Sequence, residues 1–281
     1  MRAHDLPWTT RPSVADYHRA TMTDQLSLRL EPELPRLPTD LRPMLPRSAP
    51  AAFDSAEHLF EPSWGGERVL AFIEPADRAH LRLLDGHGRD LADLIPELAD
   101  LPTRILARSA VVDGELVVVV QTGRADPEGL GARLRGEAGP AVAYLVFDLL
   151  ALDGRPILRE PLFRRRQLLR RTLTPGESVI AVPAILGEGI ALHTADRAQG
   201  IGAVLARVRA SPYLPGVRSR LWRLVEVAPI EASAADHAGV APDGQASLGL
   251  SADGTGLRTE RGPATAPVLA LIRRLPFDEE A

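Results

Sequence analysis

The side chain with the strongest indication of chemistry is the carboxylate of Glu115, which follows the apolar residues Val111 and Val112. A carboxylate among buried valines needs a polar partner, so the pattern leaves both a binding-pocket role and a structural role open. Ser63 offers a hydroxyl nucleophile, but a hydroxyl needs a general base and the neighbouring sequence supplies none. Which catalytic mechanisms remain depends on the residue types that the chain contains.

Three residue types are missing, and two of these absences exclude whole mechanisms. All 33 residues counted as Lys or Arg are Arg, and the chain has neither Cys nor Asn. Because a guanidinium stays protonated and is not a nucleophile, Schiff bases, the Gly-Lys phosphate loop and lysyl-nucleotide intermediates are excluded. Disulfides, thiolate metal sites and thiol catalysis are excluded as well. A GC-rich genome explains the lack of Lys and Asn, although codon bias alone rarely removes an essential lysine.

Other common catalytic patterns are also missing. The seven His include no pair at metal-ligand spacing, and neither Gly-x-Ser-x-Gly nor a helix-opening Gly-x-Gly-x-x-Gly occurs. The formal charge of −4 indicates that any nucleic-acid surface must be local. With no apolar run near the roughly 18 residues of a membrane span and no signal-peptide pattern, we expect a cytoplasmic protein without membrane contact.

Apolar patterning predicts interspersed strands and helices, which favours the α+β fold class. Asp113 and Gly114 lie between apolar runs and by themselves would indicate a hairpin turn as readily as a strand. The expected strands cover residues 64–73, 81–84, 111–120, 141–150, 201–208 and 221–227. The expected helices cover residues 93–98, 161–173 and 267–274.

Two groups of arginines are candidates for phosphate contacts. The helix over 161–173 is amphipathic and basic, with Arg164, Arg165, Arg166, Arg170 and Arg171 mostly on its polar face. Such a face is more often solvated than bound to phosphate. The second group is the nucleic-acid candidate cluster of Arg207, Arg209, Arg218, Arg220 and Arg223.

In order and spacing, several segments resemble the nucleotidyltransferase core of ATP-dependent DNA ligases, especially the bacterial ligases of end joining. Residues 59–68 resemble the family's Glu-Pro-Lys-Trp-Asp-Gly-x-Arg pattern, residues 112–117 its Asp-Gly-Glu strand, and residues 146–154 its Phe-Asp-Leu-Leu segment. Weaker matches lie at residues 41–46, 82–91 and 206–222. The collinear order makes a chance match improbable.

The resemblance implies an α+β nucleotidyltransferase domain, of the ATP-grasp-like adenylation type, over residues 37–228. A flexible N-terminal tail is expected over residues 1–36. The family adds a five-stranded OB domain after the core. Residues 229–281 are too few for a complete one, so a reduced OB-like segment is expected there.

In the family, a lysine amine attacks the α-phosphorus of ATP, passes AMP to a 5′-phosphate at a nick, and the 3′-hydroxyl then displaces AMP. The resemblance therefore implies ATP and Mg²⁺ as cofactors and nicked or broken double-stranded DNA as partner. It assigns adenine recognition to Glu61, structural support to Arg68, ribose and metal contacts to Glu115, and adenine stacking to Phe147. Ser63 stands where the resemblance places the lysine.

Further positions depart from the family pattern, and each change removes or reverses a charge. Gly65 replaces an Asp, Gly86 an Arg and Gly202 the metal-holding Glu, while Leu224 and Glu226 replace two lysines. No catalytic set and no metal site is therefore expected to be intact.

The expected function is that of a degenerate ligase-like protein, a pseudoenzyme with an accessory or scaffold role in DNA repair and repair proteins as further partners. An active ligase, or an enzyme that seals pre-adenylylated ends, is the alternative. A protein-interaction module unrelated to DNA is a second alternative.

Overall fold

The fold is described from a computed structural model, which places residues 37, 41–74, 81–227, 264–273 and 275. The expected tail over residues 1–36 and most of the expected segment over 229–281 lie outside these residues. The domain boundaries and the OB-like character of the last segment therefore stay predictions.

The described residues form eleven strands, four α-helices and three short 3₁₀ helices. The strands are β1 Leu45–Ser48, β2 Ser55–Ser63, β3 Glu67–Ile73, β4 Leu81–Asp85, β5 Ala110–Val117, β6 Ala143–Leu152, β7 Arg155–Pro156, β8 Val179–Ala181, β9 Ile185–Gly187, β10 Ala203–Val208 and β11 Arg218–Glu226. The α-helices are α1 Pro127–Leu134, α2 Leu162–Thr172, α3 Gly189–Gln199 and α4 Ala266–Ile272, and the 3₁₀ helices are Ala92–Leu94, Pro96–Leu98 and Leu101–Arg104.

The first sheet has the strand order β1-β11-β10-β2-β9. Its neighbouring strands are antiparallel except for β1, which runs parallel to β11. The expected strands over 201–208 and 221–227 are confirmed as β10 and β11, whereas the long strand β2 was not predicted. Helix α3, which was not predicted either, packs against β2 and β10.

The second sheet has the order β4-β3-β5-β6-β7, with β8 parallel beside β6. Strand β5 is buried along its whole length, and β6 is buried in all but its last residue. The expectation of two buried central strands is therefore confirmed. The expected strands over 64–73 and 81–84 are confirmed as the antiparallel pair β3 and β4.

Asp113 and Gly114 lie within β5, so they form no hairpin turn. A Cβ atom on Gly114 would lie 2.5 Å from the carbonyl oxygen of Leu145 on β6. Glycine lets the backbones of β5 and β6 approach closely here. In the sequence alone, a glycine at such a contact cannot be distinguished from a glycine in a hairpin turn.

Helix α2 confirms the predicted helix over 161–173. The prediction that its arginines lie on the polar face is wrong for two of them. Arg165 and Arg166 are buried, with 0% and 4% of their surface exposed. They face the interior because carboxylates of the two sheets lie there. Arg164, Arg170 and Arg171 remain exposed.

One buried cluster combines residues of both sheets, among them Trp222 of β11, Phe60 of β2 and Phe147 of β6. Helix α4 confirms the predicted last helix and contributes the buried Val268 to this cluster. Within the described ranges, no helix is long and apolar enough to cross a membrane. The expected α+β class is confirmed, because helices and mostly antiparallel strands are interspersed.

Candidate nucleotide site between the two sheets

Ser63 is the last residue of β2 and lies at one end of the first sheet. Ala203 of β10 pairs with Ser63 on one side and with Glu226 of β11 on the other. Directly paired residues of neighbouring strands point to the same face of a sheet. Ser63, Ala203 and Glu226 therefore form a row across the three strands, with the Glu61, Leu205 and Leu224 row next to it.

The hydroxyl of Ser63 has a carboxylate partner from the second sheet. Ser63 Oγ donates to Glu115 Oε2 at 3.3 Å, and the backbone N–H of Trp64 donates to Glu115 Oε1 at 2.9 Å. Burial raises the pKa of Glu115, while the Trp64 N–H, nearby Arg68 and Ser63 act in the opposite direction. Glu115 is thus the hydrogen-bond acceptor for Ser63 that the neighbouring sequence did not show, because 52 residues separate the two.

The two glycines after Trp64 shape the turn that leaves Ser63. Gly65 has a φ of 71°, and a Cβ atom on Gly66 would lie 2.0 Å from the carbonyl oxygen of Leu116. Only glycine fits at position 66, since any larger residue would collide with the backbone of β5. A Cβ atom at Gly65 would meet nothing within 4 Å, so this position is sterically open.

The positions where the resemblance places a metal-binding carboxylate and two phosphate-binding lysines lack those charges. A Cβ atom on Gly202 would lie 3.9 Å from the carbonyl oxygen of Trp64, so a side chain at 202 would stand beside Ser63. The two positions of the lysines hold Leu224 and the exposed Glu226. Within the part of the chain that is described, no group of three or more His, Asp or Glu could hold a metal ion.

Deeper between the sheets, Glu61 is bound by two buried arginines. Nη1 of Arg166 and Nη2 of Arg207 both donate to Glu61 Oε1, the latter at 2.6 Å. The same two guanidinium groups donate to the carbonyl oxygen of Phe147, at 3.1 and 2.9 Å. Arg207 also reaches Asp148 Oδ2 at 3.2 Å. Burial lowers the pKa of Arg166, and Glu61 opposes that shift.

Arg68 forms a further ion pair of this interior. Its Nε and Nη2 atoms donate to the two carboxylate oxygens of Asp113, each at 2.6 Å, in a bidentate pair. Asp113 Oδ2 also accepts from the Tyr213 hydroxyl at 2.6 Å. The Arg68 guanidinium lies 4.4 Å from the ring centroid of Phe147 and 5.3 Å from that of Trp222.

Arg207 does not belong to the predicted nucleic-acid cluster, because the structure buries it completely. Its partners are carboxylates and carbonyl oxygens of the interior. Because β10 is apolar almost throughout, no alternation of polar and apolar residues indicated in the sequence that Arg207 would be buried. Arg209, Arg218 and Arg220 are exposed and Arg223 is half-buried. These four remain candidates for an interface, and Arg47 of β1 adds a fifth because it pairs with Arg223 in the strand register.

ATP and Mg²⁺, the cofactors that the resemblance implies, do not fit the residues present. Glu61 binds arginines, guanidinium groups lie over Phe147, and Leu224 and the carboxylate of Glu226 stand where the resemblance places two lysines. Carboxylates repel a triphosphate, whose binding requires cations or metal ions.

Comparison with known proteins gives a consistent family. The family model described as the ATP dependent DNA ligase domain matches residues 43–223. The multifunctional non-homologous end joining protein LigD of Mycobacterium bovis is 33% identical over 184 residues, which are 65% of this chain and 23% of that protein. The SPbeta prophage-derived DNA ligase-like protein LigB of Bacillus subtilis is 25% identical over 181 residues, 64% of this chain and 65% of its own length.

Among solved structures, mycobacterial DNA ligase D complexed with ATP and MES superposes with a TM-score of 0.58 at 28% identity. The match covers 68% of this chain and 62% of that one. This chain spans about a quarter of the length of the mycobacterial relative. Because the family model covers more than half of the chain and a solved ligase shares its fold, this chain belongs to the ATP-dependent DNA ligase domain family.

Proposed function

We propose that this protein is a ligase-like accessory factor of DNA end joining that forms no covalent AMP intermediate. The observation that carries the proposal is Ser63, which stands at the lysine position and donates its hydroxyl to Glu115 in a chain without any lysine. The protein would act from the cytoplasm on nicked or broken duplex DNA, together with other repair proteins. Support for a DNA partner comes from the family and from the exposed arginines of β11.

The first test measures self-adenylylation. With Mg²⁺ and α-labelled ATP we expect no labelled protein after denaturation, because a guanidinium cannot attack the α-phosphorus and Ser63 lacks phosphate-binding cations around it. An active ATP-dependent DNA ligase, labelled in parallel, is the positive control. A stable adduct that peptide mapping assigns to Ser63 would contradict the proposal.

The DNA surface is proposed to lie on the arginines of β1 and β11. Arg218 and Arg220 are exposed on β11, and Arg218 Nη1 donates to the carbonyl oxygen of Pro46 at 2.8 Å, which ties it to β1. Arg47 and Arg223 lie side by side in the register between the same strands. Like charges directly opposite each other are unfavourable, and a phosphate between them would remove the repulsion.

We expect charge reversal at Arg218→Glu and Arg220→Glu to weaken binding to nicked duplex DNA by about tenfold or more, because each lost phosphate contact forfeits counterion release. The measurement is fluorescence anisotropy over a salt series, with a shallower salt dependence in the variant. The control is the double variant Arg135→Glu and Arg155→Glu, which changes the net charge by the same amount at exposed positions outside β1 and β11. Equal binding by the two double variants would favour the protein-interaction alternative.

Replacing Ser63 with Lys is expected not to restore adenylylation or nick sealing. The new amine would lie next to the Glu115 carboxylate, now 3.3 Å from Ser63 Oγ, and would form an ion pair there. When catalytic residues act as a unit, restoring only one of them recovers little activity. Robust sealing by the single variant would show that the other lost charges are dispensable.

The comparator for that experiment carries Gly65→Asp, Gly202→Glu, Leu224→Lys and Glu226→Lys in addition to Ser63→Lys. Labelling with α-labelled ATP and sealing of a nicked duplex are measured for both proteins. Activity of the comparator alone would identify the missing charges as the cause of inactivity.

A further inference from the structure

The slot that the family uses for adenine is lined by residues of both sheets. The resemblance assigns base recognition to Glu61 and base stacking to Phe147, and both face the same interior space. In this structure 1% of Glu61 and 6% of Phe147 is exposed. A slot that is open to a ligand would leave both residues accessible, so another group occupies their surroundings.

Guanidinium groups of the protein lie where a base would stack. The Arg68 and Arg207 guanidinium carbons lie 4.4 and 5.0 Å from the ring centroid of Phe147. The same two groups lie 5.3 and 4.9 Å from the indole of Trp222, which belongs to the opposite sheet. Planar cations over aromatic faces are a favourable arrangement, especially when they are desolvated.

The hydrogen-bonding edge of the slot is occupied as well. Glu61 Oε1 accepts from Arg166 and Arg207, and among the described residues Glu61 Oε2 has no partner. One free carboxylate oxygen remains for a donor, but the stacking faces next to it are covered. A base would have to displace Arg207 from Glu61, Asp148 and the carbonyl oxygen of Phe147 at once.

We propose that Arg207, with Arg68, occupies the adenine slot as a permanent internal substitute for the base, so that the folded protein excludes purine nucleotides. The identification of the slot rests on the family membership behind the proposed function. Removing the Arg207 side chain opens one of the two guanidinium positions over Phe147 and Trp222 and leaves Glu61 Oε1 with Arg166 as its donor, so an adenine ring gains a stacking face and an acceptor beside it.

The test measures binding of adenosine, AMP and ATP with Mg²⁺ by calorimetry, for the wild type, Arg207→Ala and Arg159→Ala. Arg159 is exposed, belongs neither to the slot nor to the arginines of β1 and β11, and is the control. We expect no saturable binding up to about 1 mM ligand for the wild type and the control. Arg207→Ala is expected to bind adenosine at least about tenfold tighter than that limit, and ATP no tighter than adenosine, because Leu224 and Glu226 offer no cation to its phosphates.

Saturable binding of any of these ligands by the wild type would overturn the proposal, as would a folded Arg207→Ala variant that binds no adenosine. If Arg207→Ala does not fold, Arg207→Gln, a shorter side chain that keeps an amide donor for Glu61, is measured in its place, and the same criterion applies to it. The outcome is independent of the labelling test. Non-covalent ATP binding by the wild type without an adduct would contradict this inference and leave the proposed function intact. A covalent AMP adduct would contradict the proposed function.

Discussion

Replacing Arg165 with Met is expected to lower the free energy of unfolding by about 3–5 kcal/mol, because it leaves a buried carboxylate without its main partner. Arg165 is completely buried and pairs with Asp148 through Nε and Nη2, both at 2.8 Å. Its Nη1 also donates to the carbonyl oxygens of Glu160 and Ser211, at 2.6 and 3.0 Å. After the substitution, Asp148 would keep the 3.2 Å contact with Arg207 and the 2.9 Å hydrogen bond from the backbone N–H of Leu149.

Urea unfolding at pH 7 measures this loss, and Arg164→Met is the matched control. Arg164 precedes Arg165 on α2 but is exposed and hydrogen-bonded to Gln167 at 2.7 Å. We expect the control to change the free energy of unfolding by less than about 0.5 kcal/mol. Adding Asp148→Leu to Arg165→Met is expected to recover part of the loss, since it removes the uncompensated charge. Equal stability of the Arg165 and Arg164 variants would contradict the structural role of the pair.

The second large effect is expected at Asp196 of α3, where Asn should stabilise the protein at alkaline pH. Asp196 is fully buried, and neither carboxylate oxygen has a hydrogen-bond partner among the described residues. Burial raises the pKa of Asp196 from 3.8 to about 8. Below about pH 4 the carboxyl is protonated in both the folded and the unfolded chain, so it carries no ionisation penalty there.

Between about pH 4 and pH 8 only the unfolded chain ionises, so the free energy of unfolding falls as the pH rises. The shift corresponds to an upper limit of about 5–6 kcal/mol, and relaxation around the group reduces what is realised. We therefore expect Asp196→Asn to be more stable than the wild type by about 2–4 kcal/mol at pH 9, with no gain at pH 4.

Thermal and urea unfolding of the Asp196→Asn variant across pH 4–9 test the prediction. Asp93→Asn is the control, since Asp93 is exposed and its replacement should leave the pH dependence unchanged. A stability difference between wild type and Asp196→Asn that does not vary with pH would show that Asp196 ionises normally in the folded protein.

Much of the fold follows from local patterns. The strands β3, β4, β5, β6, β10 and β11 and the helices α2 and α4 were predicted because each is an apolar run or an amphipathic stripe. Strand β2 and helix α3 were missed. In β2 the order of buried and exposed residues does not alternate, and its polar Glu61 is buried only because arginines from α2 and β10 reach it.

The candidate site was likewise predictable from the sequence only in part. The motif order located Glu61, Ser63, Arg68, Glu115 and Phe147, and the structure brings all five to the space between the two sheets. The sequence could not show that Glu115 accepts from Ser63, or that Arg207 points inward. The partners of Arg207 are the reason, since Glu61 lies 146 residues away in the chain and Asp148 lies 59 residues away.

By itself, the sequence determined the ligase family, the α+β class and the exclusion of lysyl-nucleotide chemistry, because motif order, periodicity and residue types are properties of the chain alone. Only the tertiary structure decided which arginines are interior and which are exposed. A guanidinium can be buried only where carboxylates and carbonyl oxygens compensate its lost hydration, and those groups come from distant strands. Arg165, Arg166 and Arg207 meet such partners between the sheets, whereas Arg164, Arg218 and Arg220 remain at the surface, so the same residue type serves two different roles.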